Sequence, residues 1–531
     1  MRRAAVLVLV VSLGFPVSTA VAEEDLAFTG SGWGHGVGLS QYGARAMADG
    51  GATVSEILGH YFPGSMLRNI DTLIVGSELL ADGDPIWVGL LQDRSEVTFR
   101  LEAGVADLCL DESNVCVALA EDGDTWRFGP AGEGLCMFSR MAEDGAYVPF
   151  EPYGTCSASA RPMAERTIFR IPRKARSYRD GTLRFRTSPA SGRYHLSIEL
   201  GIEDFLGGVQ ELPDFWPGAS LEAQAVVSRT VVLSRLIEHG SAGSFDEWRM
   251  EYCACHLKDD DPEQSYGGHT AELGHPFWQG RVGGTAGLVL TYDNQVALVR
   301  FTSSTGGRTE SNDATGEESR PYLVSVDDSA ALTGPAANPF SSWIERFDGV
   351  SLGSVFGFRW LTDVQVVSRN ESGSARSVVM SGIIVDRPAS ITATGMAVRD
   401  ALGLHSTYFE VSVTPRFDDV GPGHSFAGEI LGLSKLGVTS GCTATSYCPS
   451  DTVTREQMAA FLVRALDLAS PVGPVDTFDD DDGSIFGAEI EALVFNGVTS
   501  GCTATSYCPS DTVTREQMAA FLVRALSVSS A

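Results

Sequence analysis

The stretch over residues 198–237, IELGIEDFLGGVQELPDFWPGASLEAQAVVSRTVVLSRLI, constrains this chain more than any other. It begins as a half-buried strand, turns through Gly207-Gly208, and reaches Glu211 just before Pro213. Pro217-Gly218 then breaks the chain. Beyond the break Leu221, Ala225, Val232 and Leu236 recur at helical spacing, with Ser220 as the expected N-cap. A carboxyl among Leu212, Phe215 and Trp216 at a strand-to-helix junction sits where burial favours the protonated form, as general acid catalysis requires. The plainer alternative is a solvated loop carboxylate.

At 531 residues the chain is long enough for two to four domains. The first 22 residues read as a secretory leader, because Arg2 and Arg3 precede an apolar run and Ala20-Val21-Ala22 makes a small-residue cleavage site. No other segment is long and apolar enough to span a bilayer, so the mature protein is expected to be exported and soluble. A formal net charge of −30 argues against nucleic acid and anionic membranes as partners. The most basic run, residues 166–186, reads as a solvated strand pair.

Ten cysteines in an exported chain predict disulfides. Local spacing favours Cys109–Cys116, Cys136–Cys156, Cys442–Cys448 and Cys502–Cys508, although spacing alone leaves the connectivity open. Cys253 and Cys255 are separated by one residue, a spacing that strains mutual pairing. With His256 they form a candidate structural zinc site, whose further ligand is His269 or water. Long-range disulfides and buried thiols are the alternatives, and the chemistry itself requires no cofactor.

Along the chain, glycines 30, 32, 34, 36 and 38 alternate with Ser31, Trp33, His35 and Val37. No Gly-Lys-Ser/Thr follows, so this is no phosphate loop; the pattern predicts a backbone lying close to something, displaying Trp33 and His35. Thr53 and Glu56 make a capping box for a helix through His60, stopped by Pro63-Gly64. Residues 71–187 alternate as strands and turns and predict a β-rich accessory layer, inserted over about 71–165. Residues 288–301 predict a hairpin turning at Asp293-Asn294. The fold class expected is α+β, a mixed or antiparallel sheet domain with that β-rich insertion and a small helical repeat module.

The tail repeats. Residues 437–466 recur unchanged at 497–526, each copy preceded by Phe-Asp-Asp, and each carries Thr and Gln at capping-box spacing before Met-Ala-Ala-Phe. Each repeat is thus helix, disulfide-closed loop, helix, and two make a module rather than a solenoid. The resulting division is a leader over 1–22, a main domain over 23–412, and repeats over 413–468 and 473–531.

Glu203, Phe205 to Val209, Glu211-Leu212-Pro213, Trp216-Pro217 and the run from Leu221 to Thr230 together resemble the central motif of the stage II sporulation protein D family, which includes peptidoglycan lytic transglycosylases and amidase enhancers. The motif from Gly32 to Ala44 is similar to its second signature, and Ser303 to Glu310 resembles a third. The second signature opens the chain here, whereas it usually closes such a domain. Cys253, Cys255 and His256, followed by Gln264 to Gly268, resemble the family's zinc region. The tail is similar to S-layer homology repeats.

The resemblance implies a single general acid/base, Glu211, with Glu199 and Glu203 as its rivals by proximity. It also implies a glycan groove shaped by His35, Gln41, Gln224, Arg229, Ser304, Gly306, Gly307 and Thr309. The partners implied are peptidoglycan glycan strands, a secondary cell-wall polymer and a partner amidase. Arg455 and Arg515 follow N-cap threonines and are the candidate polymer contacts, with a solvated first-turn arginine as the alternative. A binding protein or amidase enhancer without turnover is the second reading.

Overall fold

A computed structural model describes residues 26–529 apart from 74–84, 152–153, 261–263, 334–336, 385–386, 414–416, 421–423, 436 and 474. The expected leader lies outside the described residues. The fold is α+β, as the mixture of strand and helix patterns predicts.

Two sheets make a sandwich. Seven strands run in the order Leu257–Lys258, Ile86–Arg94, Tyr194–Leu200, Thr182–Thr187, Ala158–Pro162, Ala106–Leu110 and Val115–Ala120, antiparallel except for Leu257–Lys258. Against them pack Tyr147–Pro149, Leu135–Met141, Thr125–Gly132, Val97–Ala103, Ile168–Ile171 and Arg176–Arg179. Phe185 of the first sheet meets Phe128 of the second at 4.9 Å and Phe99 and Phe138 at 5.5 Å. The stretch over 71–165 is therefore not an accessory layer. Its strand Ile86–Arg94 pairs with Tyr194–Leu200, so the sandwich extends to residue 200 and is the base from which the Glu211 motif starts.

Much of the basic run is paired rather than free in solvent. Lys174 and Arg176 both reach the buried Asp259, Arg179 meets Glu272 at 2.6 Å, and Arg184 meets Glu199 at 2.5 Å. These four cations have acidic partners, which shrinks the basic patch the sequence offered, while Arg166 and Arg173 of the same run stay exposed.

The central helix, Gly218–His239, is covered on two sides. Leu221, Ala225, Val232 and Leu236 face the sandwich core, as their spacing predicts. Ala223, Val226 and Val227 face a second core made by Val37, Leu39, Ile57, Leu58, Tyr61, Phe62 and Leu290. A helix apolar on both sides is a buried one. The helix starts earlier than expected: Pro217 stands at the N-cap and Ser220, inside the first turn, donates its hydroxyl to the Pro217 carbonyl at 2.7 Å. Proline's locked φ begins the turn without a side-chain cap.

The N-terminal motif docks on segments distant in sequence. Strand Leu26–Gly30 lies between Trp343–Phe347 and Phe409–Val413, with Phe28 opposite Glu345 and Val411. The domain's first strand thus pairs antiparallel with its last. Leu39–Ser40 then runs parallel to Phe301–Thr302. The hairpin at Asp293-Asn294 forms, both residues taking positive φ, and so does the Thr53–Glu56 capping box. A third core lies under the meander Trp360–Arg369, Ala375–Ile384 and Arg387–Thr394.

In the tail, helices Arg455–Leu466 and Gly487–Phe495 pack together. The second Asp of each Phe-Asp-Asp has a specific task. Asp419 accepts from the Tyr447 and Cys448 N–H groups at 2.8 Å, and Asp480 accepts from Tyr507 and Cys508 at 2.7 and 2.9 Å. Each carboxylate organises the loop that its disulfide, Cys442–Cys448 or Cys502–Cys508, closes. Cys109–Cys116 and Cys136–Cys156 also pair as their spacing predicts.

Arg229 is fully buried in the central helix. It donates to both Glu203 oxygens at 2.7 and 2.8 Å, and to the Leu288 and Val282 carbonyls at 3.1 and 3.3 Å. Removing one partner of a buried pair strands the other, at a cost of roughly 3–5 kcal/mol. Glu203 is 45% exposed, so solvent screens part of this. Glu203→Ala should therefore lower unfolding free energy by about 2 kcal/mol in urea titrations, well above the few tenths expected of a surface carboxylate.

Candidate functional site

Glu211 sits on a turn that is pinned from both sides. Val209 bridges to Tyr266, Gln210 donates its N–H to the Ser265 carbonyl at 2.9 Å, and Gly267 donates to the Gly208 carbonyl at 2.8 Å. The Ser265 N–H then reaches the Glu211 carboxyl, donating to Oε1 at 2.6 Å. On the other side Asp214 accepts the Phe277 and Trp278 N–H groups at 3.1 and 2.7 Å, and the Trp278 indole donates to the Leu206 carbonyl at 2.7 Å. The turn is held by backbone bonds, so the carboxyl has a fixed place at the surface of the domain. Leu212 and Trp216 are buried, whereas Phe215 is 78% exposed and belongs to no core.

The rivals are engaged elsewhere. Glu199 is bidentate to Arg184, at 2.5 and 3.0 Å, and Glu203 is bidentate to Arg229.

The glycine–histidine motif lies along the 300–310 loop. Trp33 donates to the Ser304 carbonyl at 2.8 Å, Leu39 to the Arg300 carbonyl at 3.0 Å, Tyr42 to the Ser303 carbonyl at 3.0 Å, and Glu310 to the Gly36 carbonyl at 2.8 Å. Close approach explains the glycines. A Cβ on Gly38, whose φ is +76°, would stand 2.1 Å from the Arg300 carbonyl oxygen. His35 accepts the Val37 N–H on Nδ1 at 3.0 Å. Burial, then the Arg300 and Arg399 guanidinia, hold its pKa down to about 3, so it is a neutral imidazole at any physiological pH.

Several residues expected in the groove are inside the protein instead. Gln41 donates to Gln224 at 3.3 Å and Gln224 to Ser228 at 3.2 Å, all three buried. Arg229 is sealed against Glu203. Ser304 accepts from Asn338 at 2.8 Å, and Thr309 donates to the Val324 carbonyl at 2.9 Å. These side chains position the site without lining it. Gly306 and Gly307 form the bend of the loop, where a Cβ on Gly306 would meet the Tyr408 ring at 2.2 Å.

Two features had no sequence signal. Asp328 is buried where four segments meet, accepting from Tyr61 at 2.6 Å and Thr305 at 2.5 Å. Burial pushes its carboxyl up, opposed by hydrogen bonds from Thr305, Tyr61 and Ser40. The second is an aromatic row: His405 to Trp33 at 4.4 Å, Trp33 to Phe340 at 4.8 Å, Phe340 to Tyr42 at 6.0 Å, and Tyr42 to Trp216 at 5.0 Å. The Arg45 guanidinium covers the Trp216 ring at 4.9 Å. The row joins the two signatures and ends five residues from Glu211.

The zinc expectation does not fit the arrangement at residues 253–256. Cys253 and Cys255 are bonded to each other, so neither offers a thiolate. The one-residue loop closes because Ala254 takes a positive φ of 47°. The His256 ring is also committed, accepting the Trp87 N–H on Nδ1 at 2.9 Å with Nε2 2.9 Å from the Gly240 carbonyl. His269 is bonded to Glu272 at 2.9 Å. In the tail, Arg455 is buried between the repeats, donating to the Tyr507 carbonyl at 2.8 Å with its guanidinium 4.8 Å from the Tyr507 ring. It joins repeat to repeat rather than facing polymer. The side chain of Arg515 lies outside the described residues.

Residues 190–292 match the family model described as Stage II sporulation protein, and residues 416–459 match that of the S-layer homology domain. This chain carries a stage II sporulation protein domain. The matched span holds Glu211, the whole central helix and the 264–268 segment that pins the turn. The stage II sporulation protein D of Bacillus subtilis (strain 168) is 41% identical over 51 residues, 10% of this chain and 15% of that protein. The amidase enhancer of the same organism is 51% identical over 41 residues, 8% of this chain and 6% of the relative. An endoglucanase of Bacillus sp. (strain KSM-635) is 36% identical over 96 residues, 18% of this chain and 10% of the relative. The likeness thus spans at most 15% of the length of any of these three relatives.

Two outcomes follow for the sporulation-type domain. Burial, ahead of the other causes, also lowers the pKa of His256 to about 4, so the folded state keeps both His35 and His256 neutral while the unfolded chain protonates its histidines below about 6.5. Their contribution to stability is whole above pH 6.5 and is lost as pH falls through 6.5 towards 4 and then 3. Melting temperature should therefore drop between pH 6.5 and about 5, before ordinary carboxylates titrate, and the drop should be shallower in His256→Gln. Protein purified without chelator should contain no stoichiometric zinc by elemental analysis, and no thiol should react when it is denatured unreduced.

Proposed function

We propose that the chain is a cell-wall lytic transglycosylase that cuts peptidoglycan glycan strands, with Glu211 as its single acid/base and the tail repeats holding it to a secondary wall polymer at the cell surface. The observation that carries this is the placing of Glu211: a carboxyl fixed by the Ser265 N–H on the turn that leads to Trp216, the last ring of the aromatic row, while Glu199 and Glu203 are tied to arginines. The identity to stage II sporulation protein D and the S-layer homology match support a wall-associated role.

In this reading sugar rings lie along Trp33, Phe340 and Tyr42, with Phe215 at the cleavage end. The Glu211 carboxyl gives its proton to the glycosidic oxygen as the C1–O bond breaks. The resulting carboxylate takes the proton of the muramic C6 hydroxyl as that oxygen bonds to C1, giving a 1,6-anhydro end and restoring the acid. No water is consumed, so the second carboxylate of an ordinary glycosidase is not needed. Neutral His35 adds no charge to the groove.

The second reading, glycan binding or amidase stimulation without turnover, is favoured by the identity to the amidase enhancer. Glu211→Gln separates the two. It keeps shape and hydrogen bonding but cannot shuttle a proton, so binding to denuded strands should persist while anhydro-muramyl products, read by mass spectrometry, fall roughly a hundred- to ten-thousand-fold. Wild-type protein that binds strands but yields no anhydro ends would leave the enhancer reading.

A further inference from the structure

At the far end of the central helix lies a cavity of about 620 Å³ that the Glu211 site does not use. Its outer wall is the short helix Glu247–Tyr252, which presents Trp248 and Tyr252 one turn apart. Their rings are 5.1 Å apart and 7° from parallel, and Trp248 is 63% exposed. The Arg249 guanidinium lies against both rings, 5.1 and 5.7 Å from their centroids, and reaches His239 on the central helix. Arg235, Glu238 and Asp246 complete the rim.

The platform is locked from below by the residues that do not fit zinc. Asp246 caps the short helix by accepting the Arg249 N–H at 2.7 Å. The Cys253–Cys255 loop follows the last turn immediately, and its sulfur packs where a Cβ on Gly89 of strand Ile86–Arg94 would stand 2.8 Å away. His256 joins that strand, through Trp87, to Gly240 at the end of the central helix. A disulfide and a buried imidazole thus fix two exposed aromatic rings over a cavity.

We propose that this cavity is a second saccharide site, in which the Trp248–Tyr252 pair stacks on pyranose rings of a wall glycan and the rim groups bond their hydroxyls. Stacked on Tyr252, the 63%-exposed Trp248 ring offers a flat apolar face, and the carboxylates and guanidinia beside it are planar hydrogen-bonding groups suited to vicinal hydroxyls. A dry protein interface depletes such charged groups at its centre, and the net charge of −30 disfavours nucleic acid. The inference rests on the glycan reading above. A second site apart from Glu211 would hold a long strand at another point and raise avidity without touching the reacting bond.

Two wall glycans share this chemistry, peptidoglycan strands and the secondary wall polysaccharide. The test is equilibrium binding of the full Glu211→Gln chain, which leaves strands intact, to each purified polymer, with and without Trp248→Ala/Tyr252→Ala. Loss of two stacking rings should weaken binding to at least one polymer by about tenfold, and Trp248→Phe should restore part of it. The polymer affected names the source. If the parent binds and the double variant, shown folded by its melting curve, binds both polymers equally well, the second site is wrong and the Glu211 reading stands. If the parent binds neither polymer, both fall.

Discussion

Everything at the candidate site depends on the burial of one helix between two cores. Gly218–His239 has the sandwich on one side and the glycine–histidine segment, with helix Val54–Tyr61, on the other. Neither core is complete without it. Each fully buried Val or Leu contributes about 1.5–3 kcal/mol, so the helix cannot shift without loss to both. Arg229 and Gln224 belong to this constraint. They are polar residues in the most buried element, and their hydrogen bonds to Glu203, Gln41 and two carbonyls fix its rotation as well as its depth.

That constraint explains why the glycine–histidine segment can lie far from the central helix in sequence. The glycine–histidine segment contributes to the site by docking on the central helix and the 300–310 loop, not by following them in sequence. Strand Leu26–Gly30 also lies beside Phe409–Val413, so that segments far apart in sequence are neighbours here too.

Local signals were legible in the sequence and long-range ones were not. The Thr53–Glu56 box, the Asp293-Asn294 turn, four disulfides and the apolar stripe of Leu221 and Leu236 are each decided within a few to about twenty residues. The pinning of Glu211 by Ser265, the row from Trp33 to Trp216 and the buried Asp328 need partners tens to hundreds of residues away. The resemblance implies a groove role for Arg229 and Gln224, and both are buried instead. Their burial depended on a second core that no helical period reveals. Cys253–Cys255 failed for a local reason: the pairing needs Ala254 in the left-handed region, which sequence reading does not anticipate for alanine.

The central claim is that residue 211 and the aromatic row form one groove for a glycan strand. A crystal structure of the Glu211→Gln chain with a bound denuded glycan oligosaccharide tests it most directly. The account predicts sugar rings over Trp33, Phe340 and Tyr42 and a glycosidic oxygen within hydrogen-bond distance of the residue 211 side chain. An oligosaccharide that avoids the row, or crosses it with no glycosidic oxygen near residue 211, would contradict it.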